Sequence, residues 1–400
     1  MRRTNEKGRA LCLIGLAWLL FVSVGCRRDD VDDAASAAAV TPVDVAQPAE
    51  ARSEPQLDRI EVHSDRLSAF TGGTVSLHAI VLTPHGYDPA IKHPTMYVVH
   101  GFGGRAERNA QRALRYTLSR GVGDRSEPGL VFVFVDANHA WGHHVFADSA
   151  GMGPWGTALA TELVPAVDRR YGTEPKGDGR FVTGHSSGGW SSLWLQISHP
   201  DLFGGVWSTA PDPVDFRDFV GVDIYTFGNA YRTPIGQTVH LKFRGGEPVE
   251  SLQEFVDHEV KTQPIGGQFF SFDAVFSPLG ADGLPKPLFD RTTGQIDREV
   301  ATAWRSYDIS WMLRTQWAQR AAGLSGKLHV IVGEQDTYGL ERPVRLLAEA
   351  LHGVGSDASF VFVPERDHSD LFRPHPVHYP DGLWRRIEQE ALAAYAARQR

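Results

Sequence analysis

Cysteine is almost missing from this 400-residue chain, which has only Cys12 and Cys26. Cys12 lies inside an apolar leader, so an exported chain keeps at most Cys26, and no internal disulfide can form. Stability must then come from a packed core. Excess positive charge is also absent: 40 Lys and Arg stand against 48 Asp and Glu, a formal charge of −8. The leader carries Arg2, Arg3, Lys7 and Arg9 against one acid, Glu6, so the remainder is more acidic still. That balance excludes a nucleic-acid partner. No internal repeat is visible, and the longest apolar run, Ala10 to Val24, is short for a helix that spans a bilayer.

That run, behind four basic residues, reads as a secretory signal over residues 1–26. It ends in Ser23-Val-Gly-Cys26, which resembles a bacterial lipoprotein signal, with Cys26 as the lipidated mature N-terminus. Ser23 departs from that pattern, where an aliphatic residue is usual, and plain secretion or an uncleaved anchor are the alternatives. The expected location is outside the bacterial cytoplasm, held to a membrane by the lipid. Residues 27–55 combine Asp-rich, Ala-rich and Pro-containing stretches without apolar periodicity and read as a flexible tether. Folded structure is expected over 56–400.

Alternation on both sides of Thr71-Gly-Gly73 predicts a hairpin from Ile60 to Leu82. The uniformly apolar Thr95–Val99 and Leu130–Val135 predict central strands buried on both faces. Further strands are expected at Phe181–Thr183, Gly205–Ser208, Lys327–Val332 and Phe360–Val363, with helical patterns at 157–171 and 190–199. Strands spaced by helices argue an α/β fold with a mostly parallel sheet covered on both faces. Residues from about 212 to 320 break the rhythm with glycines and aromatics and read as an insertion over the carboxyl edge of the sheet.

The strand at 181–183 runs through Gly184-His-Ser186-Ser-Gly188 into a helix, the order that a nucleophile elbow requires. Small residues flank the serine because the turn is sharp. A serine hydroxyl needs a base and an acid to orient that base. Asp336, just after the strand ending at Val332, is the preferred acid, ahead of Glu334 and then Asp212. His368, in the loop after the final strand, is the preferred base, since His375 and His378 lie among prolines. The amide of Ser187 is one expected oxyanion donor. The other is assigned to Phe102 in the turn His100-Gly-Phe-Gly-Gly104, which lacks the ending of a phosphate loop.

His139, His143 and His144 crowd one loop, but without a carboxylate at ligand spacing they read as a substrate-facing loop, and no metal or other cofactor is expected. Trp141 and Trp155 are candidates for pocket lining, with core packing as the alternative.

These motifs, HGFGG, Glu162-Leu-Val-Pro-Ala-Val-Asp168-Arg-Arg-Tyr171, GHSSGGW and GEQDTYGL, with a histidine after the last strand, resemble the esterase D-like branch of the α/β-hydrolases over most of 75–370. The resemblance implies a Ser-His-acid triad of Ser186, His368 and Asp336, with Phe102 and Ser187 as oxyanion amides. Ser187 departs from the family's usual Met, as does the long insertion. The function expected is a serine esterase acting through an acyl-enzyme on a small-molecule or glycan-linked ester. An acyltransferase or peptidase with the same triad, or a silent binding module, are the rivals.

Overall fold

The computed structural model describes residues 40–119 and 129–399. The signal segment and Cys26 lie outside them. A nine-stranded sheet organises the chain: β1 Thr41–Pro42, β2 Gln56–His63, β3 Ser76–Thr83, β4 Thr95–Val99, β5 Val131–Val135, β6 Arg180–His185, β7 Gly205–Thr209, β8 Leu328–Gly333 and β9 Ser359–Val363. Their spatial order is β1-β2-β3-β5-β4-β6-β7-β8-β9. β2 and β5 pair antiparallel with β3, and every other neighbour is parallel. β4 and β5 are buried at every position. Their valines and aromatics suit a strand covered on both faces.

The cover is helical. Along β7, Ser208 donates to the Gly189 carbonyl in the helix Ser187–Ser198, whereas Trp207 donates through Nε1 to Glu390 in the C-terminal helix. Neighbouring residues on a strand point to opposite faces, so these helices lie on opposite sides of the sheet.

Two expectations at the N-terminal end are corrected. β2 and β3 pair over their whole length, Gln56 with Thr83 to His63 with Ser76. However, helix α1 (Asp65–Thr71) joins them rather than a tight turn, because Ser64 caps its first turn by accepting from the Leu67 amide at 3.1 Å. Gly72 then ends it at φ 75°. Residues 40–55, read as part of the tether, are docked: β1 pairs with β2, the Ala49 amide reaches the Arg170 carbonyl, and Arg52 pairs with Asp58 at 2.9 Å. Main-chain bonds and arginines hold this segment, which is why it shows no apolar period.

After α2 (Ala106–Ser119) and β5, the helical pattern before the elbow becomes α3 (Trp155–Ala158) and α4 (Val164–Tyr171), joined by a π turn at Leu159–Leu163. Pro165 sits just past that turn and has no N–H to give, a common cause of such a bulge. Helix α5 (Ser187–Ser198) packs on β4, β6 and β7.

The insertion carries a hairpin, His240–Arg244 with Glu247–Ser251, then α6 (Leu252–Thr262), α7 (Gln268–Phe276) and α8 (Arg298–Trp304). Phe216, Phe276 and Trp304 form its aromatic centre, and Phe276 meets Trp190 of α5 at 5.2 Å. α9 (Ile309–Leu324), expected within the insertion, packs on α5 and on α10 (Glu341–Gly353) as the crossover to β8. Its buried Ile309, Met312, Leu313 and Trp317 share one helical stripe. α11 (Leu383–Arg398) is the C-terminal helix that receives Trp207.

Candidate active site

β4 and β6 end side by side, with Gly184 opposite Val99. The two following turns therefore meet: a Cβ on Gly101 would stand 3.0 Å from the His185 carbonyl oxygen and 3.2 Å from Ser186 Cβ. Ser186 itself has φ 60° and ψ −125°, a costly conformation for a residue with a Cβ. A Cβ on Gly184 would lie 2.1 Å from the Gly188 oxygen, and one on Gly188 would lie 2.1 Å from the Val99 oxygen. No side chain fits at either glycine. The turn thus holds the serine at the head of α5.

Asp336 follows β8 and is buried. Its Oδ1 accepts from the Tyr338 amide at 2.9 Å, and its Oδ2 meets His368 Nδ1 at 2.8 Å. The imidazole is enclosed by the His185 ring at 4.5 Å and the edge of Tyr338 at 4.9 Å. Burial disfavours the imidazolium, but the charge and hydrogen bond of Asp336 outweigh it, so His368 titrates above its ordinary value. Burial, then the neighbouring His368, pushes His185 down to about 3, leaving it neutral. Glu334 instead pairs with Arg345, and His375 packs against His378.

The Ser186 hydroxyl donates to Asp212 Oδ1 at 3.4 Å, and Ser187 Oγ donates to Asp212 Oδ2 at 2.5 Å. Asp212 follows β7 as Asp336 follows β8, and its own amide donates to the Ser186 carbonyl. Burial raises its carboxyl to about 6, against the lowering effect of Ser187 and His368. Sequence reasoning ranked it third as an acid; its contact with both serines was not anticipated.

Among the described residues, the amides of Phe102 and Ser187 have no protein acceptor. Both belong to turns that flank Ser186. The turn holding Phe102 is braced: His100 Nδ1 meets the Gly101 oxygen at 2.8 Å, the Ala137 amide donates to His100 Nε2, and His143 Nε2 meets the His100 oxygen at 2.9 Å. His143 Nδ1 accepts from the Val145 amide, which places its proton on Nε2. Burial pushes His143 down to about 3, so this brace is neutral.

The other loop histidines also serve the backbone. His144 accepts from the Phe146 amide and stacks on Trp155 at 3.9 Å, and His139 accepts from the Trp141 amide. Trp155 is buried, with Nε1 donating to Met152, so it is core rather than pocket lining. Trp141 is half-buried against Phe270 of α7.

A mostly parallel sheet with a strained serine turn between strand and helix, and acids at the following strand ends, defines an α/β-hydrolase. Residues 74–349 match the Esterase family, described as "Putative esterase", and the chain belongs to it. It is a carboxylic ester hydrolase of the serine hydrolase type. A ferulic acid esterase structure is similar, at 14% identity and TM-score 0.52, covering 86% of this chain and 99% of that one. S-formylglutathione hydrolase from Agrobacterium tumefaciens is 15% identical at TM-score 0.47, covering 88% of this chain and 99% of its own. That of Staphylococcus aureus is 12% identical at TM-score 0.47, covering 86% and 100%. No curated protein sequence matches.

Proposed function

We propose that this hydrolase works through an acyl-enzyme on Ser186, with His368 as base and then acid, and Asp336 as the group that orients it. The observation that carries this reading is the 2.8 Å His368–Asp336 pair, whose imidazole lies 4.5 Å from the ring of His185, the residue before a serine held at φ 60°. On attack, the Ser186 hydroxyl turns from Asp212 to His368 Nε2 and gives up its proton there as Oγ bonds to the ester carbon. The carbonyl oxygen becomes an oxyanion facing the amides of Phe102 and Ser187. The C–O bond to the alcohol then breaks, and His368 returns the proton to the departing oxygen. Water repeats the sequence: His368 takes its proton, the acid forms, and Ser186 recovers its hydrogen. The substrate is a small-molecule or glycan-linked ester.

A fluorophosphonate probe tests the nucleophile: it should label Ser186, and Ser186→Ala should abolish labelling. Label retained in that variant would remove the reading. Lipid attachment at Cys26, with export to a membrane, is a separate proposal that rests on the leader pattern alone. The mature N-terminus, read by mass spectrometry, decides it.

A further inference from the structure

Six aspartates are buried among the described residues, and five have partners suited to a negative charge. Asp58 faces Arg52, Asp215 faces Arg217, Asp273 faces Arg291, and Asp336 faces His368. Asp308 accepts from the amides of Phe216 and Trp311. Asp212 has two serine hydroxyls, and no Lys or Arg of the described residues pairs with it. A buried carboxylate without a cation is costly. This one is also badly placed for the chemistry, because it touches the attacking serine and the residue whose amide faces the oxyanion. A negative charge there opposes the formation of a second. A substrate that brings its own positive charge resolves both conflicts.

We propose that Asp212 receives a protonated amine on the acyl part of the substrate, so that the preferred esters are those of α-amino acids. The inference rests on Ser186 being the nucleophile. In such an acyl-enzyme the ammonium nitrogen is three bonds from Ser186 Oγ, and Asp212 Oδ1 stands 3.4 Å from that same oxygen. An ammonium donor is therefore within hydrogen-bond reach of the carboxylate once the ester carbon is bonded to Oγ. The alcohol side is excluded by function, since the departing oxygen must face His368 to be protonated. Ser187 is the residue that makes this arrangement specific to the chain. Its hydroxyl fixes Asp212 Oδ2, leaving Oδ1 on the side of the nucleophile.

Charge sets a window. Asp212, pushed up to about 6 by burial, is ionised above that pH. An amine next to a carbonyl group loses its proton at about 8. His368 and Asp336 are the titratable side chains whose charges Asp212 feels.

The test compares ethyl esters of alanine, propionate and N-acetylalanine with 2-aminoethyl propionate, followed as acid release on the full chain. At pH 7 the alanine ester should exceed the propionate ester at least tenfold in kcat/KM, with N-acetylalanine no better than propionate. The ratio should fall below pH 6 and above pH 8, and Asp212→Asn should bring it close to one. Equal rates for alanine and propionate esters, or a preference for the amine on the alcohol side, would overturn the role of Asp212 while leaving Ser186 as nucleophile. Absence of hydrolysis of all four esters together with absence of fluorophosphonate label would overturn both readings. The substrate ratios in the unaltered protein stand even if the Asn variant does not fold.

Discussion

Asp336 and Asp212 sit at the ends of adjacent strands, are both buried, and differ in what faces them. Asp336 meets an imidazole and a backbone amide, whereas Asp212 meets hydroxyls. A carboxylate is held in place by donors that favour its charge, and hydroxyls favour it less than an imidazolium does. On the proposed mechanism the first carboxylate orients the base. The second has hydroxyl partners and no cation beside the proposed nucleophile among the described residues.

The largest effect should separate the two by rate. Asp336→Asn leaves His368 without the acceptor that fixes its Nδ1 proton, and the loss expected in kcat is about 10⁴-fold, the scale seen when a triad loses its orienting carboxylate. Asp212→Asn should cost at least two powers of ten less on a neutral ester. Comparable losses in the two variants, measured by initial rates at pH 8, would give the two carboxylates the same role.

Stability should separate them next. Asp212 has a folded pKa of about 6, raised above the carboxylate's unfolded value of about 3.9. Between those values the folded chain keeps a proton that the unfolded chain has released, so stability is lost as pH rises through the window. Asn carries no such charge. Asp212→Asn should therefore gain on the parent between pH 4 and pH 8 by as much as about 3 kcal/mol, the equivalent of a shift of roughly two units. Urea unfolding at both pH values checks it, and a gain confined to pH 4 would reverse the sign.

How much of this was legible beforehand follows from how local each signal is. The elbow could be read because its glycines answer to atoms within a few residues and one neighbouring strand, as the 2.1 Å approaches at Gly184 and Gly188 show. Asp336 and His368 could be read because strand ends place them. The contact of Asp212 with the serines could not, since it depends on how Ala210 and Pro211 carry the chain back over α5. Ala210 adopts φ 37°, an unusual choice without glycine. The α1 link and the docked 40–55 segment were missed for a similar reason. A cap at Ser64 outweighed the turn signal at Gly72, and Arg170 from the body supplied order that the segment's own pattern lacks.

His143 offers a test at the turn that carries Phe102, which its neutral imidazole braces. Losing its donated hydrogen bond to the His100 carbonyl should cost about 1–2 kcal/mol, or roughly five- to thirtyfold in kcat. His143→Gln keeps a side-chain amide donor and should recover part of what His143→Leu loses, with KM little changed in both. Equal loss in both variants, alongside equal loss of thermal stability, would make the residue a packing group only.

The smallest effect is a displacement of the pH profile. Burial alone would lower His368, and Asp336 raises it most, with Asp212 contributing less through its charge. Because the base must be neutral to accept the serine proton, kcat/KM should rise with pH through a midpoint above the ordinary imidazole value of about 6.5. An NMR titration of the His368 ring follows the same ionisation where activity is too low to measure. Asp336→Asn removes the larger raising influence and should lower the midpoint, and Asp212→Asn should lower it less. If the midpoint instead moved further with Asp212 than with Asp336, the imidazole would belong to the carboxylate after β7, and the two acids would exchange roles.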